Sequence, residues 1–242
     1  PYALGFSITA PYFMTKNGMA RASDTTPYAN IREDQYRHYA SFMAEVCDHL
    51  GLDYLSPINE PQWEWNVSRQ EGMQATNEES ARLIRLIDEE IEKRHSKTKV
   101  VFGEAADIRY LYRGGSKPMR DNQIAEMFLP SGPHYIGNLA HVAKTVSGHS
   151  YWSTWPLDTL VTTRSELRQA LPEGYTYWQT EYCPMEQNPD NPNGGGTKDL
   201  GMDYALYVAR VIHHDLTVAE ASSWQSWTAF SEGDYKDVLI YI

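Results

Sequence analysis

The chain has 242 residues, with 21 basic against 32 acidic side chains and a formal net charge of −11 at pH 7. That length supports one large α/β domain with a substantial core, and an apolar fraction of 41% excludes a disordered chain. The acidity excludes nucleic acid as a partner, because a DNA or RNA binder needs a basic face.

The hydrophobic pattern alternates between short β-like runs and longer helical ones. Strands are predicted at 4–10, 52–58, 99–103, 146–151, 175–180 and 221–228. The first predicted helix starts at a capping box, Asn30-Ile31-Arg32-Glu33. Its apolar face runs Tyr36, Tyr39, Ala40, Met43, Val46, Cys47 and Leu50, and Gly51 stops it. A second starts at Thr76-Asn77-Glu78-Glu79 and carries Leu83, Ile84, Ile87 and Ile91. A third start is predicted at Thr163-Arg164-Ser165-Glu166, and the most apolar helix at 202–213. Repeated strand–helix alternation implies parallel strands covered by helices, here in one domain. Long irregular stretches follow the strands at 15–29, 62–75, 105–120 and 183–200, and 188–196 reads as a flexible surface loop. The longest unbroken apolar run, 204–209, is far short of the ~20 residues of a membrane-spanning helix. Cys47 and Cys183 are too few for a disulfide scaffold. The oligomeric state is left open.

Metal and nucleotide motifs are missing, and no metal or cofactor is expected: there is no HExxH, CxxC, GxGxxG or GxSxG. Acids, amides and aromatics stand instead at the C-terminal ends of strands, where parallel α/β architectures bind ligands. Asn59-Glu60-Pro61 closes the second predicted strand, and Glu181 follows the fifth. A lone strand-end carboxylate often caps a helix or pairs with Arg. Two of them, each beside Trp or Asn, point to chemistry. Strands three apart in a flat sheet would separate these acids by roughly 14 Å. A retaining glycosidase needs about 5–5.5 Å between its carboxyls. Only closure into a barrel brings such residues across the mouth.

These motifs resemble the catalytic domain of glycoside hydrolase family 30, within the large clan of retaining glycosidases on (β/α)8 barrels. Asn59-Glu60-Pro61 is similar to the clan's acid/base motif after the fourth barrel strand, and Glu181 stands at the nucleophile position after the seventh. Thr9-Ala10-Pro11-Tyr12-Phe13-Met14-Thr15-Lys16-Asn17-Gly18 resembles the family's third-strand loop. Gly148-His149-Ser150-Tyr151-Trp152 resembles its sixth strand, and Trp224-Gln225-Ser226-Trp227 its eighth. Pro57 to Trp65, with Gln70-Glu71-Gly72, is most like the endo-β-1,6-galactanase-like branch. By this resemblance residues 1–242 hold strands three to eight of a TIM barrel. The first two strands, the eighth helix and the family's accessory β-sandwich are expected outside the chain.

The resemblance implies a retaining, endo-acting hydrolase of a β-linked oligo- or polysaccharide, secreted or periplasmic, with Glu60 as acid/base and Glu181 as nucleophile. β-1,6-Galactan is the substrate it points to. Alternatives are β-xylan, β-glucosides or β-1,6-glucan, or a non-catalytic carbohydrate-binding barrel. Asn59 is expected on the sugar 2-hydroxyl, its other reading being a turn residue. Tyr151 is expected to orient the nucleophile. His149 is either a substrate contact or a buried, hydrogen-bonded histidine. Glu104 or Asp107 is expected on sugar hydroxyls, although an Arg109 partner accounts equally for Asp107. Every Trp but Trp178 lies at or just beyond a strand's C-terminus. Trp227 is expected beneath the reacting sugar, with Trp63, Trp65, Trp152 and Trp155 further out or simply packing loops.

Overall fold

Six strands, β1 (Leu4–Phe6), β2 (Tyr54–Ser56), β3 (Lys99–Ala105), β4 (Val142–His149), β5 (Thr176–Glu181) and β6 (Ala221–Trp224), pair in parallel and in chain order. The computed structural model describes residues 2–26, 28–66 and 70–242; residues 67–69 of the predicted 62–75 loop and residue 27 of the 15–29 stretch lie outside them. The helices are α1 (Tyr36–Leu50), α2 (Asn77–Arg94), the short α3 (Arg109–Tyr112), α4 (Leu157–Ala170) and α5 (Met202–Thr217). A small parallel pair, β7 (Phe230–Ser231) and β8 (Ile240–Tyr241), follows the last sheet strand. No helix among the described residues is long and apolar enough to cross a membrane.

The sheet is curled. Tyr54 of β2 meets Trp178 of β5 edge-to-face at 4.8 Å, although their strands are three apart. Phe6 of β1 reaches Trp227, beyond β6, at 5.9 Å. A flat sheet would hold the first pair roughly 14 Å apart. The fold is an incomplete (β/α)8 barrel whose C-terminal rim gathers the loops after all six strands. β1 and β6 are its two edges, not hydrogen-bonded to each other.

Local chemistry sets the helix ends. At α2 the capping box forms in full: Thr76 Oγ1 accepts from the Glu79 N–H at 3.1 Å and Glu79 Oε2 from the Thr76 N–H at 2.9 Å. Gly51, at φ 64°, closes α1 in the left-handed conformation that glycine adopts without Cβ strain. The Asn30 box does not form. Asn30 is buried and turns its side chain to the 17–21 loop, accepting from the Lys16 N–H and donating to the Met19 and Arg21 carbonyls, so α1 starts only at Tyr36. Leu50 and Phe42 are exposed, lining a groove of about 750 Å³ beside the β1 edge. The Thr163 box is also overturned. Thr163 lies inside α4, and its hydroxyl donates to the Thr159 carbonyl one turn back. The 188–196 stretch is pinned rather than free: Asn191 is buried, donates to the Pro184 and Glu186 carbonyls, and accepts from Lys236 Nζ at 2.9 Å.

Arg164 anchors the middle of α4. Its guanidinium is fully buried and donates through Nε to Asp215 of α5 at 2.8 Å. Asp215 also accepts from Ser150 after β4 and from the Trp224 indole of β6, so one ion pair ties two helices to two strand ends. Arg164→Met strands a buried carboxylate and is expected to cost about 3–5 kcal/mol. A urea titration checks this; a change under about 0.5 kcal/mol overturns it.

Candidate active site

Bulged and strained backbone positions aim the site. β3 carries register shifts on either side of Phe102, and β4 between Gly148 and His149. At Gly103, φ is 136° and a Cβ would lie 2.2 Å from the Ser147 carbonyl, so only glycine fits between the two strands. The bulge presents Glu104, itself at φ 42°, while Glu60 sits at φ 44° and Trp152 at φ 53°. Non-glycine residues in this region carry strain of about 1–3 kcal/mol and concentrate at functional sites. Glu60 is held against that strain. Its N–H donates to the Glu104 carbonyl, and its own carbonyl accepts from the Trp63 N–H and the Trp65 indole, each at 3.0 Å.

A cleft of about 550 Å³ is lined by Asn59, Glu60, Trp63, Trp65, Tyr151, Trp152, Glu181 and Trp227, with Ile8, Gln70, Glu71 and Met185. Carboxylate oxygens of Glu60 and Glu181 and a ring nitrogen of His149 lie within 4.8 Å of one another. The Tyr151 hydroxyl donates to Glu181 Oε1 at 3.0 Å. His149 is fully buried: Nδ1 meets Glu60 Oε1 at 3.0 Å, Nε2 meets Glu104 Oε2 at 2.9 Å, and Nδ1 stands 3.8 Å from Glu181 Oε1. Of the two readings for His149, the buried, hydrogen-bonded one holds; with both nitrogens taken it is no substrate contact. Glu104 is corrected likewise. It is buried behind the cleft, accepting from His149 and from Thr180 Oγ1 at 2.7 Å. Asp107 has the Arg109 partner: its carboxylate accepts from the Arg109 backbone N–H and from Nε, each at 2.9 Å. Asn59 is buried with Oδ1 unpartnered among the described residues. Trp63 and Trp152 stack at 4.6 Å, 9° from parallel. Trp155 is exposed outside the cleft lining.

Burial pushes the Glu181 carboxyl up to about 7; the His149 charge and the Tyr151 hydrogen bond oppose this, while the Glu60 charge adds to it. For His149 burial alone would favour the neutral ring, but the Glu181 charge and the hydrogen bonds to Glu104 and Glu60 win, and its pKa stands well above the ordinary value. For Glu104 burial is likewise outweighed, here by the His149 hydrogen bond and charge, and its pKa is lowered. Burial and the Glu181 charge keep the Tyr151 phenol protonated as a donor. The Cys183 thiol, 3.7 Å from that phenol, is pushed up to about 12 by burial, which suits a small buried hydrophobe. Glu60, His149 and Glu181 have the spacing of a metal site; with both ring nitrogens protonated, as its raised pKa favours, His149 would have no lone pair to offer.

The chain matches the O-glycosyl hydrolase family 30 model over residues 1–241. It belongs to that family. A conserved exported protein from Bacteroides fragilis is 32% identical, with a TM-score of 0.87, and the match covers 96% of this chain and 49% of that one. The catalytic domain of a family 30 xylanase C from Talaromyces cellulolyticus shares the fold at 17% identity and TM-score 0.65, covering 99% and 50%. An endo-β1,6-glucanase does so at 14% and 0.62, covering 100% and 51%. The chain therefore spans about half the length of these family 30 relatives. No curated protein matches it. Thr180 and Gln179 were missed from sequence. Thr180 lies on the same strand face as Trp178 by the two-residue period, which is the signal that could have found it. Gln179 is fully buried, donating to the Glu181 carbonyl at 2.5 Å and accepting from the Gln225 N–H.

Proposed function

We propose that the protein containing this chain is a retaining β-glycosidase with Glu60 as acid/base and Glu181 as nucleophile. The observation that carries this reading is the approach of the two carboxylates to within 4.8 Å. An inverting enzyme holds its carboxyls about 6.5–9.5 Å apart, and the closer approach here supports retention. In the first step Glu60 protonates the glycosidic oxygen, the C1–O bond breaks, and a Glu181 oxygen bonds C1. In the second Glu60 takes a proton from water, the water oxygen bonds C1, and the Glu181 ester breaks. The Tyr151 hydroxyl favours the anion on Glu181 that the first step requires. The unpartnered Asn59 Oδ1 suits a hydrogen bond from the sugar 2-hydroxyl, and Trp227 suits the face of the reacting ring.

The substrate is a β-linked glycan, cleaved in endo fashion, with β-1,6-galactan the first choice from the motif around Trp63 and Trp65. The family 30 neighbours named for xylan and β1,6-glucan keep those two in the comparison. An exported relative supports secretion. The test is a product profile of the full-length protein on a panel of β-linked oligosaccharides, with the first-formed anomer read by NMR. Retained β-anomer from one substrate class is expected. A first-formed α-anomer overturns the mechanism, and binding without turnover favours a carbohydrate-binding barrel.

A further inference from the structure

Two buried groups are left over by the double displacement: His149 does not touch the cleft, and Glu104 breaks or makes no bond. They nevertheless form one continuous chain with the acids. Thr180 donates to Glu104 at 2.7 Å, Glu104 meets His149 Nε2 at 2.9 Å, and His149 Nδ1 meets Glu60 at 3.0 Å and Glu181 at 3.8 Å. Carboxylates at both ring nitrogens are the partners of a doubly protonated imidazole. The groups facing it are Glu60 from the loop after β2, Glu104 from β3, Glu181 from β5, and Tyr151, whose ring lies edge-on at 5.9 Å. Behind Tyr151 stands the Cys183 thiol.

The proposed reaction moves one negative charge. It leaves Glu181 for Glu60 as the glycosyl ester forms, because Glu60 surrenders its proton while Glu181 bonds C1. It returns when Glu60 takes a proton from water and the ester breaks. Nδ1 meets Glu60 Oε1 at hydrogen-bond distance and lies within ion-pair reach of Glu181 Oε1, so one imidazolium charge faces whichever carboxylate is charged.

We propose that Glu104 is a positioning residue acting through His149: it fixes a doubly protonated imidazole whose charge pairs with Glu181 and with Glu60 in turn as the negative charge passes between them. This rests on the roles assigned to the two acids under Proposed function. Asp–His pairs in serine proteases show that a buried carboxylate can set both the protonation and the orientation of a working histidine.

The experiment uses the full-length protein with ¹⁵N-labelled histidine. Both His149 nitrogens are expected to stay protonated from about pH 5 to 8, the range in which a free histidine loses its proton. In Glu104→Gln the His149 signals are expected to titrate inside that range. kcat/KM should fall on the order of 10²-fold and gain a pH limb there that the native profile lacks. Neutral His149 at pH 7 in the native protein overturns the proposal, as does a folded Glu104→Gln protein with an unchanged pH profile. If Glu104→Gln fails to fold, the native spectrum alone decides. That spectrum needs no turnover, so an error in the catalytic assignment, read from Glu181→Gln, is distinguishable from an error here.

Discussion

Glu181→Gln in the full-length protein is expected to lower kcat/KM on the order of 10⁵-fold, the scale at which loss of a covalent nucleophile leaves only binding and positioning. An amide is neither an anion nor a useful nucleophile, so no glycosyl ester can form. Substrate should still bind, because Trp227, Asn59 and Trp152 line the cleft independently of the Glu181 charge. A KM or Kd within about tenfold of native accompanies that loss if Glu181 acts in chemistry rather than in binding. Residual turnover above about 1% removes Glu181 from the nucleophile role.

The same substitution should stabilise the fold, and the pH dependence identifies why. Burial raises the Glu181 carboxyl from an ordinary 4.5 to about 7, so the folded state binds the proton more tightly than the unfolded one. For an acid shifted upward, the contribution to stability is fully present below about 4.5 and is lost as pH rises towards 7. At pH 8 the buried charge costs about 3 kcal/mol, a figure the Gln variant recovers, and at pH 4 the two proteins should melt together. Thermal melts at both pH values read this directly. A Gln variant less stable than native at pH 8 would mean that His149 more than offsets the charge.

Much of this site was legible because chemistry in parallel α/β folds concentrates at strand ends, and strand ends can be read from an apolar run that stops. Asn59-Glu60-Pro61 and Glu181 stand at such stops, and the Thr76 box uses only residues adjacent in sequence. The failures share one physical feature. Asn30 and Thr163 have the composition of helix caps, but tertiary partners claimed the neighbourhood first: the 17–21 loop took the Asn30 amide, and Asp215 drew Arg164 into the middle of a helix. The role of His149 was hidden for the same reason. Its partners come from β3 and from the loop after β2, 45 and 89 residues away, and they meet only after bulges in two strands have shifted the register. Leu50 obeys the helical period yet is exposed, because the groove it lines runs beside an edge strand.

Glu60→Gln should separate leaving groups in a way that no other variant does. Glutamine preserves the shape of the side chain but cannot give a proton, so glycosides with sugar leaving groups are expected to lose about 10³–10⁴-fold in kcat/KM. A dinitrophenyl glycoside of the same sugar departs as a stable anion and needs no acid, so its first step should stay near the native rate. Its second step still lacks the base that activates water. The glycosyl ester on Glu181 should therefore accumulate, giving one rapid equivalent of dinitrophenol followed by slow turnover. Azide, which attacks without losing a proton, should restore the steady rate and yield the β-glycosyl azide. Its β-configuration follows from two successive inversions at C1, the first by Glu181 and the second by azide. Equal losses on sugar and dinitrophenyl substrates, with no burst and no azide effect, would assign Glu60 to binding and leave the proton donor elsewhere in the cleft, where Glu71 is the other carboxylate in the lining.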